Sequence, residues 1–111
     1  MLIVGVVAIV GSATSATAQS LGTFSRTGNM TTARSLPSAT LLANGQVLIA
    51  GGDSISAGSG TLASAELYDP DTGKFRAAGT MTTARRLHTA TLLPDDKVLI
   101  VGGYRGGGGA L

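Results

Sequence analysis

The sequence predicts an all-β chain of short antiparallel strands, and three observations carry that expectation. Residues 22–53 align without a gap on residues 73–104, with 18 identities in 32 positions by direct count. Such self-similarity marks one supersecondary unit used twice. Each copy holds an apolar segment around "ATLL", a turn spelled "ANGQ" or "PDDK", and a second apolar segment, "VLIAGG" or "VLIVGG". Between the copies, "SAELYDP" and "KFRAAG" read as two further short strands separated by the turn signal "DPDTG".

In chain order, the first stretch is set apart from the fold. Residues 2 to 10 are apolar apart from Gly5, and a Ser/Thr/Ala stretch follows, ending in Ala16-Thr17-Ala18. That order matches an export signal, residues 1–18, with its cleavage site, although no Lys or Arg precedes Arg26. A membrane anchor is the alternative, but a span takes about 20 mainly apolar residues and this run turns polar at Ser12. The expectation is an exported chain, periplasmic, extracellular or on the cell surface, with no stable membrane span and residues 19–111 as the folded segment.

Within each copy the two apolar segments read as a hairpin. Asn44-Gly45 is a preferred pair where a tight turn needs positive φ, and Pro94-Asp95-Asp96 also favours a turn. The second strand, Val47 to Ala50 or Val98 to Val101, is continuously apolar, as expected of a strand covered on both faces. The stretch "DSISAGSGTLAS" reads as a loop from Asp53 to Ser64. The third strand places Ala65 and Leu67 on one face and Glu66 and Tyr68 on the other. Pro70 and Gly73 suit the next turn, and a short fourth strand opens at Phe75. Four short strands in a repeat of about 50 residues is the arithmetic of a β-propeller blade.

These residues resemble the kelch repeat, in the bacterial form similar to the central propeller of galactose oxidase. The residues that carry the resemblance are Gly51-Gly52 and Gly102-Gly103 closing the second strand, Tyr68 within Glu66-Leu67-Tyr68-Asp69-Pro70, and Phe24 and Phe75 where the family has tryptophan. The resemblance implies kelch-type propeller blades, about one and a half to two of them in an incomplete ring. A full blade would run over about 36–80, with half of another over about 87–103. The opening strand at 22–30 would complete that second blade. Because a ring takes about 4–8 blades, it also implies self-association or further blades from a longer parent.

Composition narrows the chemistry. The absence of cysteine removes disulfides, thiol nucleophiles and thiolate metal sites. Eight Lys plus Arg against six Asp plus Glu leave a net charge of +2, scattered along the chain, which gives no case for nucleic acid. His88 is the only histidine and pairs with Pro37 in the repeat alignment, so it supports neither a metal site nor a Ser-His-Asp triad. Asp69, Asp71 and Gly73 form a D-x-D-x-G fragment whose spacing fails the calcium loop, since Lys74 and Thr80 stand where glycine and glutamate are needed. The glycine-rich tail "GGYRGGGGAL" lacks the G-K-[ST] step of a phosphate loop.

What remains is weak candidate binding chemistry. Arg34 and Arg85 end the repeated "MTTAR" and offer planar donor forks to an anion or sugar, although their equivalent repeat positions also suit blade-to-blade hydrogen bonding without a ligand. Asp53 opens the longest connection. The expectation is therefore an exported, non-catalytic binding module without a cofactor, whose loops contact protein or carbohydrate. The alternatives are a non-catalytic fragment of a galactose-oxidase-like copper oxidase, which the resemblance offers, and a truncated product with no independent function. The copper site would need two tyrosines, two histidines and a Tyr-Cys crosslink, against one histidine, no cysteine, and Tyr68 and Tyr104 here.

Overall fold

The computed structural model describes residues 2–4, 21–55 and 60–111. These residues form ten strands: β1 (Leu2–Val4), β2 (Phe24–Arg26), β3 (Ser38–Leu41), β4 (Val47–Ala50), β5 (Asp53–Ser54), β6 (Gly60–Thr61), β7 (Ser64–Asp69), β8 (Lys74–Thr80), β9 (Thr89–Leu92) and β10 (Val98–Val101). They fall into four separate antiparallel sheets: β3-β4-β7-β8, and the pairs β9-β10, β1-β2 and β5-β6.

The strands of the repeat lie where hydrophobic pattern and turn chemistry put them. The β3-β4 and β9-β10 hairpins have equivalent registers, Leu41 opposite Val47 and Leu92 opposite Val98. Their turns differ in strain. Gly45 meets the positive φ of 84° at no steric cost, whereas Asp96 must hold φ 63° at the same repeat position. Asp96→Gly is therefore expected to stabilise the chain by up to about 1 kcal/mol, the scale of the left-handed penalty for an L-residue, read as a higher midpoint in thermal unfolding.

In the four-stranded sheet, Tyr68 faces Phe75 across β7 and β8 with ring centroids 4.9 Å apart. The register shifts between Ala65 and Glu66, leaving Ala78 as the extra residue of a bulge on β8. The apolar core among the described residues is small, made of Ile49, Ala50 and Ala65, and sits where β4 pairs with β7.

Several expectations are corrected. The kelch-type propeller does not hold: the strands divide into separate sheets of two or four, and no ring closes among the described residues. The opening strand does not complete the second hairpin, because Phe24–Arg26 pair with the apolar Leu2–Val4 instead. The continuous apolar strand is not covered on both faces in its second copy, where Leu99 and Val101 are exposed. The Asp53–Ser64 loop carries a short hairpin, β5 with β6. Of the export segment expected at 1–18, only Leu2–Val4 is described, as β1, and the rest lies outside the described residues. Among the described residues no helix is long and apolar enough to cross a membrane.

Candidate functional site

The densest polar chemistry gathers around Glu66 on β7 of the four-stranded sheet. β7 buries Ala65 and Glu66 together, so both faces of the strand are covered at this point rather than one. The first "MTTAR" segment supplies three donors to the Glu66 carboxylate, two backbone amides and a guanidinium. The Thr31 amide donates to Oε2 at 2.7 Å and the Thr32 amide to Oε1 at 3.1 Å. Arg34 donates to Oε1 at 2.9 Å, to the Ser64 hydroxyl at 3.2 Å, and to the carbonyls of Gly51 and Ser64 at 2.9 and 2.8 Å. The Arg34 and Glu66 side chains are 0% and 2% exposed, so this is a desolvated ion pair. Burial pushes the Glu66 carboxyl pKa up, but the Thr31 amide, Arg34 and the Thr32 amide together outweigh it and hold the value below the ordinary 4.5.

Two further polar contacts tie the copies together. Asp53 accepts from the Thr61 hydroxyl at 3.0 Å and forms an ion pair with Arg86, while its backbone pairs with Ser35. His88 is buried, and its Nε2 lies 2.7 Å from the Ser38 hydroxyl, linking β3 to the segment entering β9. Desolvation first, then the charge of Arg85, lowers the His88 pKa below 6.5 and favours the neutral imidazole.

Both shifts set a pH dependence of one sign. A group whose pKa is depressed on folding contributes stability above its unfolded value and loses it as pH falls through the folded one. Thermal midpoints are therefore expected to fall on acidification in two stages, the first below about pH 6.5 from His88 and the second below about pH 4.5 from Glu66. His88→Asn should remove the first stage and leave the second, which a pH series of melting curves checks.

Of the residues singled out from sequence, Arg34 is buried with both terminal nitrogens bonded and its Nε without a partner among the described residues, and Asp53 sits beside a cleft of about 380 Å³ that Arg86, Thr61 and Gly106 also line. Arg85 donates to the Gly102 carbonyl at 2.8 Å and has no acidic partner among the described residues. Arg34 and Asp53 line one shallow cleft of about 210 Å³ with Ala33, Ser35 and Ile55, and Arg85 does not join them. The structural positions are mixed: Gly51 and Gly52 are buried, Phe75 meets Tyr68 in a tilted ring contact, and Phe24 is exposed. Asp69 caps its own turn, its Oδ1 accepting from the Asp71 amide at 2.9 Å and its carbonyl from the Gly73 amide at 2.8 Å. Among the described residues no three His, Cys, Asp or Glu side chains group as for a metal ion.

Sequence reasoning missed Glu66, Arg86 and Ser38. A signal for Glu66 was present: it is the only glutamate in the chain, on a strand whose neighbours are apolar. It missed as well that Leu36 and Leu87, one per copy, hold positive φ of 54° and 53° while their side chains are exposed.

The kelch and galactose-oxidase resemblance, and with it the reading as an exported propeller fragment or copper oxidase fragment, finds no support beyond the shared repeat. The chain matches no protein-family model and no curated protein, and its sheets are separate and unclosed; the assignment that stands is a small β-rich chain with an internal duplication.

Proposed function

We propose that the chain works by associating with other polypeptide, its own copies included, and not by catalysing a reaction. The observation that carries this reading is the unequal burial of the two copies. Val101 on β10 is 53% exposed, whereas its repeat counterpart Ala50 on β4 is 1% exposed. Leu99, two residues before Val101, lies on the same face of β10 and is also exposed. Leu41 on β3 and the left-handed pair Leu36 and Leu87 add three more exposed leucines. Large apolar side chains held in fixed strands at the surface mark association surfaces, because covering them removes apolar area from water at about 25 cal/mol per Å².

Sedimentation velocity on the full chain tests the reading. The weight-average mass should rise with concentration, and the double variant Leu99→Lys with Val101→Lys should weaken self-association at least about tenfold, since each lysine must be desolvated to rebuild the contact. A monomer at every concentration, or a variant that associates as the parent does, would remove the proposal.

A further inference from the structure

The chain's one asparagine–glycine pair stands at the tip of the first hairpin. Asn44 and Gly45 lie in the turn between β3 and β4, and both are exposed. The turn is closed by bonds among its own residues. The Gly45 amide donates to the Leu42 carbonyl at 3.0 Å, the Leu42 amide to the Gln46 carbonyl at 2.8 Å, and the Gln46 amide to Asn44 Oδ1 at 3.0 Å. All three lie beyond the β3-β4 ladder, whose last pair at this end is Leu41 with Val47. An exposed hairpin tip of this kind opens locally at a small fraction of the global stability, leaving the sheet behind it intact.

Opening frees two groups that react with each other. The Gly45 nitrogen and the Asn44 side-chain carbonyl carbon close a five-membered ring when they bond. Gly45 has no Cβ to shield its nitrogen, and nothing stands within 4 Å of where one would be. The other asparagine, Asn29, is exposed as well, but Met30 follows it and crowds the attacking nitrogen with a side chain. At the equivalent turn of the second hairpin stand Asp95 and Asp96, so residue 95 is already what hydrolysis of Asn44 would produce.

We propose that Asn44-Gly45 is a site of self-modification, at which Asn44 of the folded chain converts without an enzyme to aspartate and isoaspartate. The Gly45 amide gives its proton to hydroxide, its nitrogen bonds to Asn44 Cγ, and the side-chain nitrogen departs as ammonia. Water then opens the cyclic imide. Cleavage of the bond from Cγ restores the main chain with aspartate at 44. Cleavage of the bond from the main-chain carbonyl carbon leaves isoaspartate, with the chain running through Cβ and Cγ. The sum is one water consumed and one ammonia released.

The two products differ in consequence. Aspartate fits the turn, since Asp95 Oδ1 accepts from the Lys97 amide at 3.3 Å as Asn44 Oδ1 does from the Gln46 amide. It also places a negative charge in a cleft of about 150 Å³ that Asn44 shares with Asp96 of the second hairpin. Isoaspartate does not fit. The main chain gains a carbon inside the turn, so the bond from Leu42 to Gln46 that fixes the hairpin register is lost.

Incubating the full chain in mildly alkaline buffer made with heavy-oxygen water, followed by peptide mass mapping, tests the proposal. The peptide holding residue 44 should gain one heavy oxygen and contain both products, the isoaspartate counted by its selective enzymatic methylation. Conversion at Asn44 should be at least about tenfold faster than at Asn29, a barrier lower by about 1.4 kcal/mol. The variant Asn44→Asp should melt as the parent does, and the isoaspartate fraction at a lower temperature. Equal rates at the two asparagines, or conversion at 44 only once urea has unfolded the chain, would overturn the proposal. An Asn44→Asp chain melting well below the parent would overturn the assignment of aspartate as the tolerated product. None of these readouts depends on whether the chain self-associates.

Discussion

Replacing Glu66 by alanine is expected to be among the most damaging single changes to this chain, costing about 3–5 kcal/mol, because it leaves a buried guanidinium without its counter-charge. Arg34 cannot turn to solvent: its side chain is fully covered and its other bonds hold it against the Gly51 and Ser64 carbonyls. The Thr31 and Thr32 amides lose their acceptor in the same step. Since a small domain commands only about 5–15 kcal/mol in total, urea unfolding should show a midpoint displaced far toward water. The companion change Arg34→Met, added to Glu66→Leu, should restore part of that loss, since a buried pair replaced on both sides costs much less than one broken on one side. A loss below about 1 kcal/mol for Glu66→Ala would mean that Arg34 finds water and that the pair is not desolvated.

The second large effect is expected at Gly51, and it separates the two copies. Gly51 holds φ 66°, and a Cβ there would collide with the Arg85 carbonyl and stand 2.8 Å from His88 Cε1. The Arg85 carbonyl cannot give way cheaply because it accepts from the Gly52 amide at 2.9 Å. Gly102 has nearly the same backbone, φ 69°, but its Cβ would meet nothing within 4 Å. Gly102→Ala should therefore cost only the left-handed penalty, about 1–2 kcal/mol, and Gly51→Ala on the order of 3 kcal/mol or more, the backbone collision being added. Thermal unfolding of the two variants side by side checks this. Equal losses would show that the collision is relieved by a small shift of the Arg85 backbone.

Strand positions were legible because they rest on local information. The apolar segments at 47–50 and 98–101, the turn residues between them and the step from Tyr68 to Phe75 all declare themselves within a few residues. The way strands group into sheets was not, because pairing partners are chosen by long-range competition. Phe24–Arg26 resemble the strand at Phe75, yet one pairs with Leu2–Val4 and the other with Tyr68 and its neighbours. The buried ion pair was half legible. Repetition pointed to Arg34 and Arg85, but one copy meets a glutamate and the other does not, and nothing in "MTTAR" distinguishes them. The strain at Leu36 and Leu87 was hidden for a different reason, since leucine carries no sequence signal for positive φ and the conformation is imposed by the backbone pairing beside it.

The difference between Ala50 and Val101 also bears on how the two halves of the duplication evolve. Ala50 is almost fully buried on β4, so a larger residue there must displace whatever packs over it, and purifying selection should hold that position small. Val101 has lost that confinement and is free to drift in size, limited only by whatever binds over it. The two equivalent positions are therefore expected to tolerate different residues in homologous chains, small ones at 50 and a wider range of sizes at 101.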